Sequence, residues 1–273
     1  MHTIAVANRK GGVGKSSVAT HLAAALGIGG WRVLVIDMDS QASTTAMLLD
    51  GLHDEALTTT QLLLGEARLA DLIQPSTRDG VFVAPATGDL TQAQFSIAGR
   101  TGRETILRRA MREIDGFDVV VIDTAPELQL ATLNALVAAS HVLMPFTPDP
   151  KALEGLETTC EAVSEIAAAE LGHPAILGCV QVAYDRRLSV TDDSRRQVEA
   201  AYGPLLLDTC IRANSSFIVC PAWHRDIFAM EQKERGKSRG SADFRALASE
   251  VAARLPLPAA RPARAAEQGV AAA

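Results

Sequence analysis

Lysine is scarce in this chain. Of its 273 residues only Lys10, Lys15, Lys151, Lys233 and Lys237 carry an ε-ammonium, and arginine supplies the other basic groups. Aromatic residues make up 4% and the formal net charge is −6. Such a balance excludes nucleic-acid binding by the molecule as a whole and leaves it to a local basic patch. Cys160, Cys179, Cys210 and Cys220 form no CxxC pair and no mixed Cys/His zinc spacing. That removes a disulfide framework and a zinc site and leaves reduced, structural thiols. The histidines show no ligand spacing either. No apolar run approaches the roughly 20 residues of a bilayer span. The chain enters its first strand with no room for a signal peptide, so a cytoplasmic protein is expected.

What is abundant is aliphatic and small. Hydrophobic residues make up 48% of the chain, grouped in short continuous runs that alternate with helical stretches. This pattern predicts an α/β fold, a mostly parallel twisted sheet with helices on both faces. One domain over 1–254 is expected, followed by a Pro/Ala-rich tail, 255–273, that reads as disordered.

The rest is organised around Ile4-Ala-Val-Ala-Asn-Arg-Lys-Gly-Gly-Val-Gly-Lys-Ser-Ser17, which reads as a strand, a glycine-rich turn and the start of a helix at Lys15. Gly11, Gly12 and Gly14 let the backbone curl and bring its N–H groups to an anion, Val13 and Ser17 included, while the helix aims its positive end at the same point. Lys15 adds a cation for the outer phosphates and the Ser16 hydroxyl is placed for Mg²⁺. This is a nucleoside triphosphate site. An ordinary P-loop would carry a glycine where Arg9 stands. The string Lys-Gly-Gly-Val-Gly-Lys-Ser instead resembles the deviant Walker A box of the ParA/MinD ATPases. In that family the early lysine, here Lys10, reaches across a dimer interface to the partner's nucleotide. The alternative, a solvated surface lysine, does not account for two of five lysines falling in one loop.

Trp31-Arg-Val-Leu-Val-Ile-Asp-Met-Asp39 is a buried strand whose alternation puts Asp37 and Asp39 on one side of the chain. With Ser40-Gln-Ala-Ser-Thr-Thr45 it resembles the family's Asp-x-Asp-Pro-Gln box, Ser40 replacing proline. The resemblance implies that Asp39 positions the attacking water and supports the metal with Asp37, although one of the pair could simply cap the next helix. Val81-Phe-Val-Ala-Pro-Ala-Thr-Gly-Asp-Leu90 resembles a segment of the ParA branch. Phe117-Asp-Val-Val-Val-Ile-Asp123 is a Walker B-type strand ending in a magnesium ligand, Asp123. No cysteine lies between Asp39 and Asp123, unlike the cluster-bearing nitrogenase iron-protein relatives. Gly102–Ile114 reads as one helix whose arginines form a solvated face, and Arg186, Arg187, Arg195 and Arg196 gather near one edge.

Arg212-Ala-Asn-Ser-Ser216 stands where ParA relatives carry Ile-Pro-Arg-Asn. Asn214 matches the adenine-binding asparagine; the family's DNA-contacting arginine is out of register. Arg225, Lys233, Arg235, Lys237, Arg239 and Arg245 are candidate phosphate-backbone contacts, with a charged loop as the equal alternative. The resemblance implies a ParA-like ATPase that takes ATP and Mg²⁺, catalyses hydrolysis through Lys10, Lys15 and Asp39, and forms a nucleotide-sandwich homodimer. It also implies non-specific DNA binding, nucleoid association in the ATP state and a ParB-like or other cargo-linked activator. Two alternatives stay open: a MinD-like membrane-cycling regulator, opposed by prolines in the tail, and an ATP-gated positioning switch that does not segregate DNA.

Overall fold

The computed structural model describes residues 1–234 and 239–260, with backbone alone for 231–234. In chain order the strands are β1 (His2–Val6), β2 (Val33–Met38), β3 (Gln74–Pro75), β4 (Val81–Ala84), β5 (Val119–Thr124), β6 (His141–Phe146), β7 (Ala175–Tyr184) and β8 (Leu206–Arg212). The helices are α1 (Lys15–Ile28), α2 (Ser43–Leu48), α3 (Thr59–Leu64), α4 (Leu69–Leu72), α5 (Leu90–Ile97) and α6 (Ile106–Ala110). They continue with α7 (Leu130–Ala138), α8 (Ala152–Ala168), α9 (Ser189–Tyr202), α10 (Ser216–Val219), α11 (Ile227–Glu234) and α12 (Arg239–Arg254).

The sheet order is β3-β4-β2-β5-β1-β6-β7-β8, parallel throughout except for the β3–β4 pair. The α/β expectation holds. β1, β2 and β5 are buried on both faces, as continuous aliphatic runs require in a parallel sheet. Leu22, Val35, Val121, Phe244 and Leu247 anchor the core on the side of α1 and α12. Leu34, Ile36, Leu63, Leu107 and Ile122 anchor the opposite face under α3 to α7. Because β1 lies between β5 and β6 and β2 lies beyond β5, the carboxyl ends of β1, β2 and β5 converge on one edge.

Two stretches differ from the expectation. The helix predicted over 102–114 is broken into a 3₁₀ turn at Arg103–Thr105, the short α6 and a second 3₁₀ turn at Met111–Glu113. Asn134 of α7 is the reason: its Oδ1 accepts Leu107 N at 3.1 Å and its amide donates to Arg103 O at 2.7 Å. Nor is the arginine face there simply solvated, since Arg108 reaches Leu171 O and has a buried Nε. At the other end, Leu255 is fully buried and Trp31 Nε1 donates to Pro258 O at 2.9 Å. The rest of the expected tail, 261–273, lies outside the described residues.

One glycine fixes how α8 meets the first loop. A Cβ on Gly155 would lie 2.5 Å from Asn8 Oδ1 and 3.2 Å from Lys10 Cβ. Asn8 cannot yield, because Oδ1 accepts Lys10 N at 2.8 Å and Nδ2 donates to Pro145 O at 2.8 Å. Gly155→Ala would gain helix propensity worth up to about 1 kcal/mol, but overpacking of about 1–3 kcal/mol outweighs it. Urea unfolding should therefore show a net loss of stability; a gain would mean that the loop gives way freely.

Candidate nucleotide site

The loop after β1 is shaped by Gly12 at φ +74° and Gly14 at φ +76°, left-handed conformations that glycine adopts without Cβ strain. Gly14 caps α1, and no side chain takes up the first amides of that helix. These N–H groups and the positive end of α1 form an anion seat. Lys15 is 5% exposed and folds over the loop, donating from Nζ to Lys10 O at 3.2 Å. Burial lowers its pKa, while Asp123 and Asp39 nearby oppose that shift. Lys10 is placed otherwise: it is partly exposed, and its Nζ lies 2.8 Å from Asp149 Oδ1 on the loop before α8. Two lysines of one loop thus face different ways.

Asp37 and Asp123 are direct partners across the β2–β5 ladder, and both are fully buried. Burial raises both carboxyl pKa values, and the charge of Asp37 raises Asp123 further. Asp37 is tied to the next helix: Oδ2 accepts Thr45 N at 2.9 Å and Thr45 Oγ1 at 2.8 Å, and Oδ1 accepts Asp39 N at 3.1 Å. Ala42, the cap of α2, has only a methyl side chain and makes no cap hydrogen bond of its own. Asp39 uses Oδ1 to accept Gln41 N at 3.0 Å. Asp123 Oδ2 accepts the Thr44 hydroxyl at 2.8 Å, the nearby Ser16 side chain works against the rise in its pKa, and Oδ1 is buried with no hydrogen-bond partner.

A buried carboxylate oxygen without a donor, beside a serine at the mouth of an anion seat, fits a hard cation. Among the described residues no group of three or more His, Cys, Asp or Glu is arranged to hold a metal. The oxygen donors of Asp123 and Ser16 suit magnesium, which is held by one or two protein oxygens and completes its shell with phosphate and water. Asn8, Thr44, Thr45, Asp149 and Gly155 were not singled out as site residues from the sequence. Thr44 and Thr45 stood inside the quoted Asp-x-Asp box, but only the fold shows them serving the two aspartates.

Beside the loop lies a cavity of ≈ 670 Å³ whose lining includes Gly12, Ser17, Val182, Asn214, Phe217 and Phe244. Its walls are mostly apolar and suit a planar base. Asn214 lines this cavity, with Oδ1 accepting Ser216 N at 2.9 Å. Arg212, where a DNA contact was in question, is tied into the fold: Nη2 lies 2.5 Å from Asp243 Oδ1. Of the proposed basic contacts, Arg225 is exposed, Arg239 is exposed at the start of α12, and the Arg245 guanidinium lies 4.9 Å from the Phe228 ring centre. Arg235 and Lys237 lie outside the described residues, as does the side chain of Lys233. Arg187 and Arg196 are paired locally with Asp185 and Asp193, and Arg195 donates to Leu207 O.

Asp123→Asn removes a charge that the ligand-free fold pays to bury. The folded pKa is raised from 3.8 to about 8, so ionisation lowers stability as pH rises between those values. In thermal melts without nucleotide or magnesium, the variant should be more stable than wild type. Its advantage should grow up to about pH 8 and then level off; a flat or inverted difference would contradict the buried, uncompensated carboxylate.

The AAA_31 family model, described as an AAA domain, matches residues 1–172. The chromosome-partitioning ATPase Soj of Thermus thermophilus is 36% identical over 252 residues, covering 92% of this chain and 96% of its own length. Among solved structures, cobyrinic acid a,c-diamide synthase from Mycobacterium smegmatis, with bound ATP analog and magnesium, is 31% identical. It superposes with a TM-score of 0.72 over 87% of this chain and 98% of that one. An ATP complex of Cyanothece McdA has a TM-score of 0.82 at 20% identity, over 94% of this chain and 97% of its own, a likeness of fold alone. Taken with the glycine loop and its two lysines, these relationships place the chain in the ParA/MinD family of deviant Walker A ATPases, on the ParA/Soj branch.

Proposed function

We propose that the protein is a ParA-like ATPase that binds Mg-ATP, closes into a nucleotide-sandwich dimer, holds DNA without sequence preference and lets go after slow hydrolysis. The observation that carries this reading is the division of labour between the loop lysines: Lys15 buried over the anion seat, Lys10 partly exposed and paired with Asp149. An ordinary phosphate loop needs only the first. The ATP analog and magnesium bound by the 31%-identical M. smegmatis relative support the choice of ligand.

Phosphoryl transfer asks a protein mainly for placement and neutralised charge. The amides of Gly11 to Ser16 and the Lys15 ammonium would hold the β- and γ-phosphates. Ser16 and Asp123 would hold magnesium, which supplies charge neutralisation at the phosphates. Asp39 would orient the attacking water by accepting its hydrogen bond, and Asp37 fixes the turn that carries Asp39. Lys10 would leave Asp149 to neutralise charge on a second protomer's nucleotide. Hydrolysis by the monomer is then slow because one cation is missing. A cargo-linked activator of the ParB kind, and cargo itself, belong to the same reading, as does residence on the nucleoid.

Hydrogen bonds to charged groups are worth about 1.5–3 kcal/mol, so Lys15→Ala should cost at least roughly tenfold in calorimetric ATP affinity. Lys10→Ala should keep monomer affinity but abolish ATP-dependent dimerisation in light scattering. Normal dimerisation by this variant would remove Lys10 from its proposed place. Binding to random duplex DNA should require ATP, fail with ADP and weaken steeply with salt. Binding that ignores the nucleotide would break the proposed switch.

A further inference from the structure

No histidine spacing in the sequence suggests a ligand set, but the fold brings His2 and His141 together at the amino ends of β1 and β6. This is the edge of the sheet away from the phosphate loop. The two strands are parallel neighbours, and Ile4 is the register partner of His141. His2 stands two residues before Ile4, so alternation puts both imidazoles on one face of the sheet. Their ring centres are 6.0 Å apart with the planes inclined at 47°, and both residues are half-buried. Neither histidine takes part in the nucleotide edge.

The hydrogen bonds fix which nitrogen His141 offers. Ser140 Oγ accepts Thr3 N at 3.0 Å and donates to Thr3 O at 2.9 Å, which uses its one proton. His141 Nδ1, 2.9 Å from the same oxygen, is then the donor, and the lone pair sits on Nε2. An imidazole held through Nδ1–H with Nε2 open is how a metal-binding histidine is oriented by its outer partner. Two imidazoles on one tetrahedral ion, with bonds of about 2.0–2.1 Å, have ring centres about 5 Å apart. Small side-chain rotations bring the pair to that spacing. Nitrogen donors of this kind suit zinc, nickel and copper, whereas magnesium takes oxygen.

We propose that His2 and His141 form a binding site for a divalent transition-metal ion of the zinc class, separate from the magnesium position at the nucleotide edge. Among the described residues no group of three or more His, Cys, Asp or Glu is arranged to hold a metal, so water completes the shell. A closed structural zinc site takes four protein ligands; this one is open and its ion exchangeable. The ion would tie β1 to β6 at the ends opposite the phosphate loop and the turn that carries Asp149. The proposal is independent of the ATPase reading.

The test is calorimetric titration of zinc chloride into the tag-free, full-length protein without nucleotide, in excess magnesium. It would use wild type, His2→Gln, His141→Asn and Asp123→Asn, with the exposed His53→Gln and His173→Gln as controls. Asparagine can keep a donor toward Ser140 while removing Nε2, so His141→Asn tests the ligand without giving up the fold; its melt in chelator should match wild type. Outer-shell changes alone cost roughly 10–100-fold in metal affinity, so loss of either histidine should weaken zinc binding at least about tenfold. Asp123→Asn, His53→Gln and His173→Gln should bind zinc as wild type does. Zinc should raise the melting temperature of wild type but not of His2→Gln or His141→Asn. X-ray absorption should show two imidazole nitrogens on the zinc and otherwise oxygen. Wild-type zinc affinity in His2→Gln or His141→Asn would overturn the site, as would a loss confined to Asp123→Asn. An equal loss in His173→Gln, whose neighbour Ala175 pairs with His141, would overturn the two-histidine assignment.

Discussion

Two carboxylates lie side by side in a dry parallel sheet, and much of the nucleotide edge is arranged around them. Asp37 and Asp123 are adjacent across the β2–β5 ladder and neither touches solvent. Burial raises both carboxyl pKa values and the charge of Asp37 raises Asp123 further, so the pair costs stability until donors or a cation neutralise it. The threonines behind them answer part of that cost: Thr45 serves Asp37, and Thr44 serves Asp123 with Thr20 Oγ1 3.1 Å behind it. Lys15, itself buried, stands where the field of Asp123 and Asp39 supports its charge. What is left over is one unpartnered oxygen on Asp123. The fold has its residual electrostatic demand at the place where a triphosphate and a divalent cation would meet it.

The second constraint is mechanical. Asn8 links the phosphate loop to Pro145 at the end of β6, and Gly155 lets α8 press against both Asn8 and Lys10. The loop is therefore held between the sheet and α8. Asp149 comes from the turn leading into that helix and holds the exposed lysine. Any movement of Lys10 toward another molecule has to break this contact. The same logic applies at the opposite flank, where β7 and β8 end in segments shared by the base cavity and a second, arginine-lined cavity. Nucleotide chemistry sits between two elements that can carry its state outward.

How much of this was legible beforehand differs from element to element. The glycine loop, Lys15, Ser16 and the strand-ending aspartates could be read because each is a local signal: glycines at forced backbone angles, a cation and hydroxyl at fixed offsets, acids at the ends of aliphatic runs. The broken helix over 102–114 could not, because its interruption comes from Asn134 on another helix. Nor could the sequence show that Arg212, standing where the family's segment is out of register, is anchored in the fold by Asp243 on α12. The packing of Leu255 and the bond from Trp31 to Pro258 were equally hidden, since a Pro/Ala-rich segment has no periodicity to betray a docking site.

By itself, then, the sequence determined the family, the α/β layering and the identity of the phosphate-holding groups, because those depend on backbone geometry and residue offsets within a few positions. The tertiary structure alone decided which aspartate caps a helix and which keeps an oxygen open. It alone paired Lys10 with Asp149, set Gly155 against Asn8, and brought Arg186, Arg187, Arg212 and Arg239 to one cavity. Those are contacts between residues far apart in the chain, fixed by strand order and helix packing, and no local pattern encodes them.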